Sequence, residues 1–179
     1  MADYDNAKAF DEGMQKMQRL VYERFIKMLE GFCKSLFQSA DVSKEYHSLT
    51  GNTFTSYACG IYRDGALFEV LYSAEYKRNP IRVKLTKGEI FSGTSYDGAD
   101  VKFFKATENT DGGYGKDTSM RFLRQYKPKI KKGFEVVMCT GTEYSSFLEK
   151  SKNLNVLTDT WLSSKALFFQ NLRVVNDPS

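Results

Sequence analysis

Histidine and tryptophan each occur once in the 179 residues, and proline and cysteine three times each. Each scarcity removes a class of function. A single imidazole cannot build the His-rich cages of many catalytic metals, and any imidazole base would have to be His47, in a polar linker. Cys33, Cys59 and Cys139 are odd in number, far apart and without a CxxC pair, which argues against a zinc cage or a thioredoxin-like centre. Buried reduced thiols are the expectation, with folding in a reducing compartment. No apolar run approaches the roughly 20 residues of a membrane span. The opening "MADYDNAKAFDEG" lacks a basic segment followed by an apolar one, so no secretory leader is expected. Charge is mild as well: +4 overall, with a pI near 8.8, which permits acidic partners without demanding them.

What the chain does have is apolar and aromatic material, 41% and 15% of residues, including fourteen Phe and eleven Tyr. That is enough for one domain with a proper core, so 1–179 is expected to be a single domain. Phe10, Met14, Met17, Val21, Phe25, Met28, Phe32 and Leu36 recur in steps of three and four, predicting a helix over about residues 6–39. Gly31 is its candidate weak point. The period then changes to two. "TFTSYACGIY" and "ALFEVLYSAEY" flank "RDG" at Arg63–Gly65, a hairpin signal, and "IRVKL" reads as a third strand. Six of the thirteen glycines fall between Gly88 and Gly115. Residues 86–128 are therefore expected to form a Gly-rich inserted loop or arm, with "VKFFKA" its only strand-like run. "FEVVMCTG" reads as the cleanest buried strand. A short helix is expected over "TEYSSFLEKSK" and a last one over "TDTWLSSKALFFQNL", capped by Thr158 or Asp159. The sum is an α+β fold: a long N-terminal helix packed on a mostly antiparallel sheet, with an inserted arm and a C-terminal helix.

Catalytic patterns fail on inspection. "GGYGKDTS" (Gly112–Ser119) has Thr110 and Asp117 where a phosphate loop needs Gly and Ser or Thr. "GTSYDG" (Gly93–Gly98) has Asp97 where a nucleophile elbow needs glycine. The acids Glu89, Asp97 and Asp100 lie in the arm, and Glu143 and Glu149, six apart, fall on different faces of a helix. No catalytic, cofactor or metal residues are assigned, and a non-enzymatic role is expected. Arg124, Lys127, Lys129, Lys131 and Lys132, with Tyr126 among them, form a basic cluster that suits an acidic partner surface or a phosphate backbone.

Two segments carry a family likeness. The first is "LTGNTFTS", where Thr50, Gly51 and Ser56 follow the long helix and precede the first strand, with Phe54 in the apolar place. The second is "GTEYSSFLEKSK" after the strand "FEVVMC", with Gly141, Tyr144, Leu148 and Glu149. In this order the two resemble the tail-completion and head–tail joining proteins of tailed bacteriophages, over residues 10–85 and 133–172. "NVLTDT" is similar to versions in phages of gut Bacteroidetes, the crAss-like group. The resemblance implies a structural virion protein, assembled in the host cytoplasm. It would form a homo-oligomeric ring at the neck that joins portal or adaptor to tail around the DNA conduit. It implies no cofactor, no membrane and at most non-specific contact with transiting DNA. Two other readings stay open: a monomeric adaptor or inhibitor that binds a host or phage protein through its aromatic arm, and an enzyme of unfamiliar type.

Overall fold

A computed structural model describes residues 2–45, 49, 52–73, 84–95, 98–107, 109, 114–142, 145, 150 and 154–176. The elements among them are α1 (Ala2–Ser43), α2 (Asn52–Thr55), β1 (Tyr57–Arg63), β2 (Ala66–Tyr72), β3 (Ile90–Thr94), β4 (Asp100–Lys105), α3 (Tyr114–Gln125), β5 (Phe134–Thr140) and α4 (Thr158–Asn176). The fold is α+β. A three-stranded antiparallel sheet has the order β2-β1-β5, and β3 and β4 form a separate two-stranded sheet.

The sheet is the middle of three layers, and strand alternation decides which side chain enters which layer. Tyr57, Cys59 and Ile61 of β1, Leu71 of β2 and Phe134, Val136 and Met138 of β5 face α1 and α4. Ala58, Tyr72, Val137 and Cys139 face α3 through Met120 and Leu123. The central strand β1 is buried at six of its seven positions. The turn between β1 and β2 is the expected one. Asp64 (φ 51°) and Gly65 (φ 83°) both take positive φ, the pair of conformations a tight two-residue hairpin demands.

Helix α1 outruns the expected 6–39 at both ends and is unbroken at Gly31. At ~1.5 Å per residue its 42 residues span about 63 Å. Gly31 is a contact point. A Cβ there would lie 3.0 Å from Asn171 Oδ1, so the missing side chain lets α4 approach. The two helices run antiparallel, with Ser39 against Ser163 (3.3 Å) and Phe32 edge-on to Phe168 (centroids 5.5 Å). Asn171 donates to Ser35 Oγ (3.0 Å) and Leu167 O (2.8 Å). In the first turn of α4, Asn155 Oδ1, from outside the helix, accepts from the Asp159 amide at 3.2 Å.

Residues 86–128 depart from a plain loop. "VKFFKA" does form a strand, β4, but it pairs with a second one, β3, and α3 follows. Phe91 lies opposite Phe104 and Gly93 opposite Val101, with an irregular step between, where β4 carries one extra residue. Neither β3 nor β4 has a substantial contact with any other described element, so the hairpin stands beside the core. The strand "FEVVMCT" is also not the buried one. β5 is only partly buried at six of seven positions, and among the described strands it is an edge. The expected strand at "IRVKL" lies mostly outside the described residues, and its described end, Lys84–Leu85, is in no strand. His47 and most of the expected helix over 142–152 also lie outside them.

All three cysteines are free and buried. Burial, with Cys33 and Cys139 nearby, pushes the Cys59 thiol well up, and burial pushes Cys139 up to about 11 despite its hydrogen bond to Ser119. At neutral pH both stay protonated and unreactive. A thiol reagent such as dithionitrobenzoate should therefore label none of the three in the folded protein at pH 8 and all three in denaturant. Fast stoichiometric labelling of the native protein would refute this packing.

Candidate functional site

The two segments singled out in the sequence meet in space. Ser56, buried at the end of the turn after α2, donates to Thr53 O at 2.7 Å and lies 2.7 Å from Thr140 Oγ1 at the end of β5. Ser119 of α3 donates to Ser56 O at 2.5 Å. Thr140 and Thr142 each approach Ser145, the latter in a very short contact. Gly141 is held so closely that a Cβ would come 1.8 Å from Gly115 O. A chain of hydroxyls thus ties α2, β5 and α3 together, with glycine at the tightest crossing. Sequence reasoning found Ser56 and Gly141 but missed Thr140 and Ser119. Thr50, Gly51, Tyr144 and Glu149 lie outside the described residues.

A cavity of about 510 Å³ opens beside this cluster, lined by Thr118, Phe122, Thr140, Gly141, Thr142 and Lys150 among others. Lys150 is its one charged lining residue. The hydrogen-bond partners of Ser56, Thr140 and Ser119 are hydroxyls and carbonyls, which position a backbone but do not activate a nucleophile. No group of three or more metal-capable side chains occurs among the described residues. No described helix is long and apolar enough to cross a membrane.

The basic cluster occupies the end of α3 and the connection into β5. Arg124, Lys127, Lys129, Lys131 and Lys132 are all exposed. Arg124 sits in the last turn of α3, where a cation complements the helix dipole. The backbone beneath the lysines is fixed by Glu135, which accepts from the amides of Ile130 (2.9 Å) and Lys129 (2.8 Å) and from Tyr126 OH (2.7 Å). The bonds to Ile130 and Tyr126, followed by that to Lys129, hold its carboxyl below the usual carboxylate range. Gly133 and Asp64 exchange two bonds of 2.9 Å, docking the segment on the β1–β2 turn. Glu135 is so occupied that it pairs with none of the lysine side chains; Lys131 Nζ donates to Pro128 O at 3.1 Å, and Lys127, Lys129 and Lys132 are exposed.

The third feature is the N-terminal half of α1. The helix joins the core at Phe25 and Tyr22, which pack on Phe134 at 5.2 and 6.0 Å between centroids, while Arg63 stacks on Tyr22 at 4.7 Å. Before that point the apolar stripe faces solvent: Phe10 is 67% exposed, Met17 61% and Val21 62%. The opposite side carries an Arg19–Glu23 pair at 2.9 Å. No family model, no curated protein and no solved structure matches this chain.

Proposed function

We propose that this is a structural assembly protein of a tailed-phage virion. Copies of it form a ring at the head–tail junction that joins portal or adaptor to tail around the DNA conduit, without turnover and without a cofactor. One observation carries the assembly reading: the exposed stripe Phe10, Met14, Met17, Leu20 and Val21 on a helix extending beyond its own core. A contiguous apolar face of this kind on a rigid rod marks a surface that a protein neighbour covers. Closure into a ring needs head-to-tail contacts, in which the stripe of one copy meets a different surface of the next. The neck role comes from the likeness of the segments around Ser56 and Gly141. The lysine cluster beside β5 suits an acidic neighbour or loose contact with DNA. The second reading, a monomeric adaptor, draws on the β3–β4 hairpin, whose Ile90 and Phe103 are 61% and 67% exposed.

Light scattering with negative-stain imaging tests this. The purified protein should form a discrete closed species many times its 20.5 kDa. The double variant Met17→Glu/Val21→Glu should return it to monomers with an unchanged melting temperature, because both side chains lie outside the core. A wild-type monomer at high concentration would remove self-assembly in solution and favour the adaptor.

A further inference from the structure

Among the described residues, the three-layer sandwich is open on one side, along the outer edge of β5. That strand borders two cavities of about 510 and 610 Å³, which share Met138 and Leu157. Between them they are lined by every residue from Val136 to Thr142. Successive side chains of a strand point to opposite faces, so a space lined by consecutive residues runs along the strand's edge. Phe122 of α3 and Tyr126 beyond it form one wall, and Phe32, Leu36 and Trp161 of the α1–α4 layer form the other. Two of these wall aromatics, Trp161 and Phe122, remain 76% and 48% exposed. In the groove's lining Thr160 is buried with no hydrogen-bond partner for its hydroxyl among the described residues. No described residue pairs with β5 on this edge, and every second residue there turns its N–H and C=O away from β1.

Charge marks the ends of the groove. Lys129 lines it at the Phe134 end, with Lys127, Lys131 and Lys132 alongside, and Lys150 lines it at the Thr142 end. Glu135, the one acid lining it, is spent on Tyr126, Lys129 and Ile130. A long unpaired edge with apolar walls is what natural proteins cover, and lysines at its ends select for acids.

We propose that this groove takes an extended segment of a partner protein as a fourth strand on β5. The segment is about seven residues long, apolar at alternate positions so as to fill the walls, and acidic at both ends. The ladder supplies affinity, the aromatic walls select side chains, and the lysines fix which residues flank the segment. This does not rest on the assembly reading, since the stripe of α1 is a separate surface, and the test can be run on the Met17→Glu/Val21→Glu protein.

The probe is a synthetic peptide with the core Val-Thr-Val-Thr-Val between Asp-Glu ends, against the same core between Lys-Lys ends. Amide exchange read residue by residue should slow within β5, between Val136 and Thr140, and not in β2. The acidic peptide should bind about tenfold or more tightly than the basic one, and Lys129→Glu/Lys150→Glu should reverse that order. Three results overturn the proposal: no added protection in β5 at about 1 mM acidic peptide, equal binding of the two peptides, or protection of β5 that rises with the protein's own concentration alone. The last would make the occupant a second copy.

Discussion

Replacing Gly141 by alanine should cost at least about 3 kcal/mol, at the top of the range for overpacking. The new methyl group would sit 1.8 Å from Gly115 O, 2.5 Å from Ser119 Oγ and 2.7 Å from Ser119 N. Two of these atoms are backbone of α3, so relief requires lifting the helix from the end of β5. That movement also strains the bond from Ser119 Oγ to Ser56 O and the contacts of Leu123 behind it. Domains of this size are stable by only about 5–15 kcal/mol, so the variant should be markedly less soluble and easier to unfold. Urea denaturation followed by circular dichroism measures the loss. A midpoint shift worth less than about 0.5 kcal/mol would mean that α3 does not sit where we describe it.

The second large effect lies one turn further along the same helix. Leu123 is fully buried, and its Cδ2 would be 3.0 Å from a Cβ placed on Gly60 of β1. Leu123→Ala should lose about 2–5 kcal/mol through the cavity it leaves. Gly60→Ala alone should lose about 1–3 kcal/mol, since Leu123, Tyr62 and Leu67 must all yield. In combination the costs should fall short of their sum by about 1 kcal/mol, because the shortened residue makes room for the new methyl group. Strict additivity in the double-mutant cycle would show that the two positions do not share this space.

How much of this was legible follows from what sequence patterns can carry. The long helix was, because its apolar stripe has an unmistakable spacing. The hairpin at Arg63–Gly65 was, because its turn is fixed by residues that tolerate positive φ. Helix α3 was not visible as a helix, because its inward face is Gly115, Ser119, Met120 and Leu123, of which only the last two are apolar. The small residues that allow the close crossing at Gly141 are the ones a hydrophobic pattern overlooks. β3 was hidden by the glycine in "IFSGT" and by the irregular step opposite it. β5 was recognised as a strand but expected to be the most buried one, which it is not. Helices cover both of its faces, so it reads as a nearly continuous apolar run, and a run says nothing about a strand's place in the sheet order. Ser56 and Gly141 were picked out within their own segments. Their partners Ser119 and Thr140 lie 63 and 84 positions from Ser56, a distance no local pattern spans.

The strand order has a consequence for how the chain reaches this structure as it is made. β1 and β2 are separated by two residues and can close as soon as both leave the ribosome. The partner on the other side of β1 arrives much later, since Arg63 pairs with Phe134, 71 positions downstream. At usual rates of synthesis that is a wait of about 4–14 s. During it the most deeply buried strand among the described ones has one side bare, and α1, already complete, is the element at hand to shield it. The nascent protein is therefore most vulnerable to misassociation with other nascent chains in that interval. Conditions that slow elongation between Tyr72 and Phe134 should lower soluble yield, while the finished protein would melt as before.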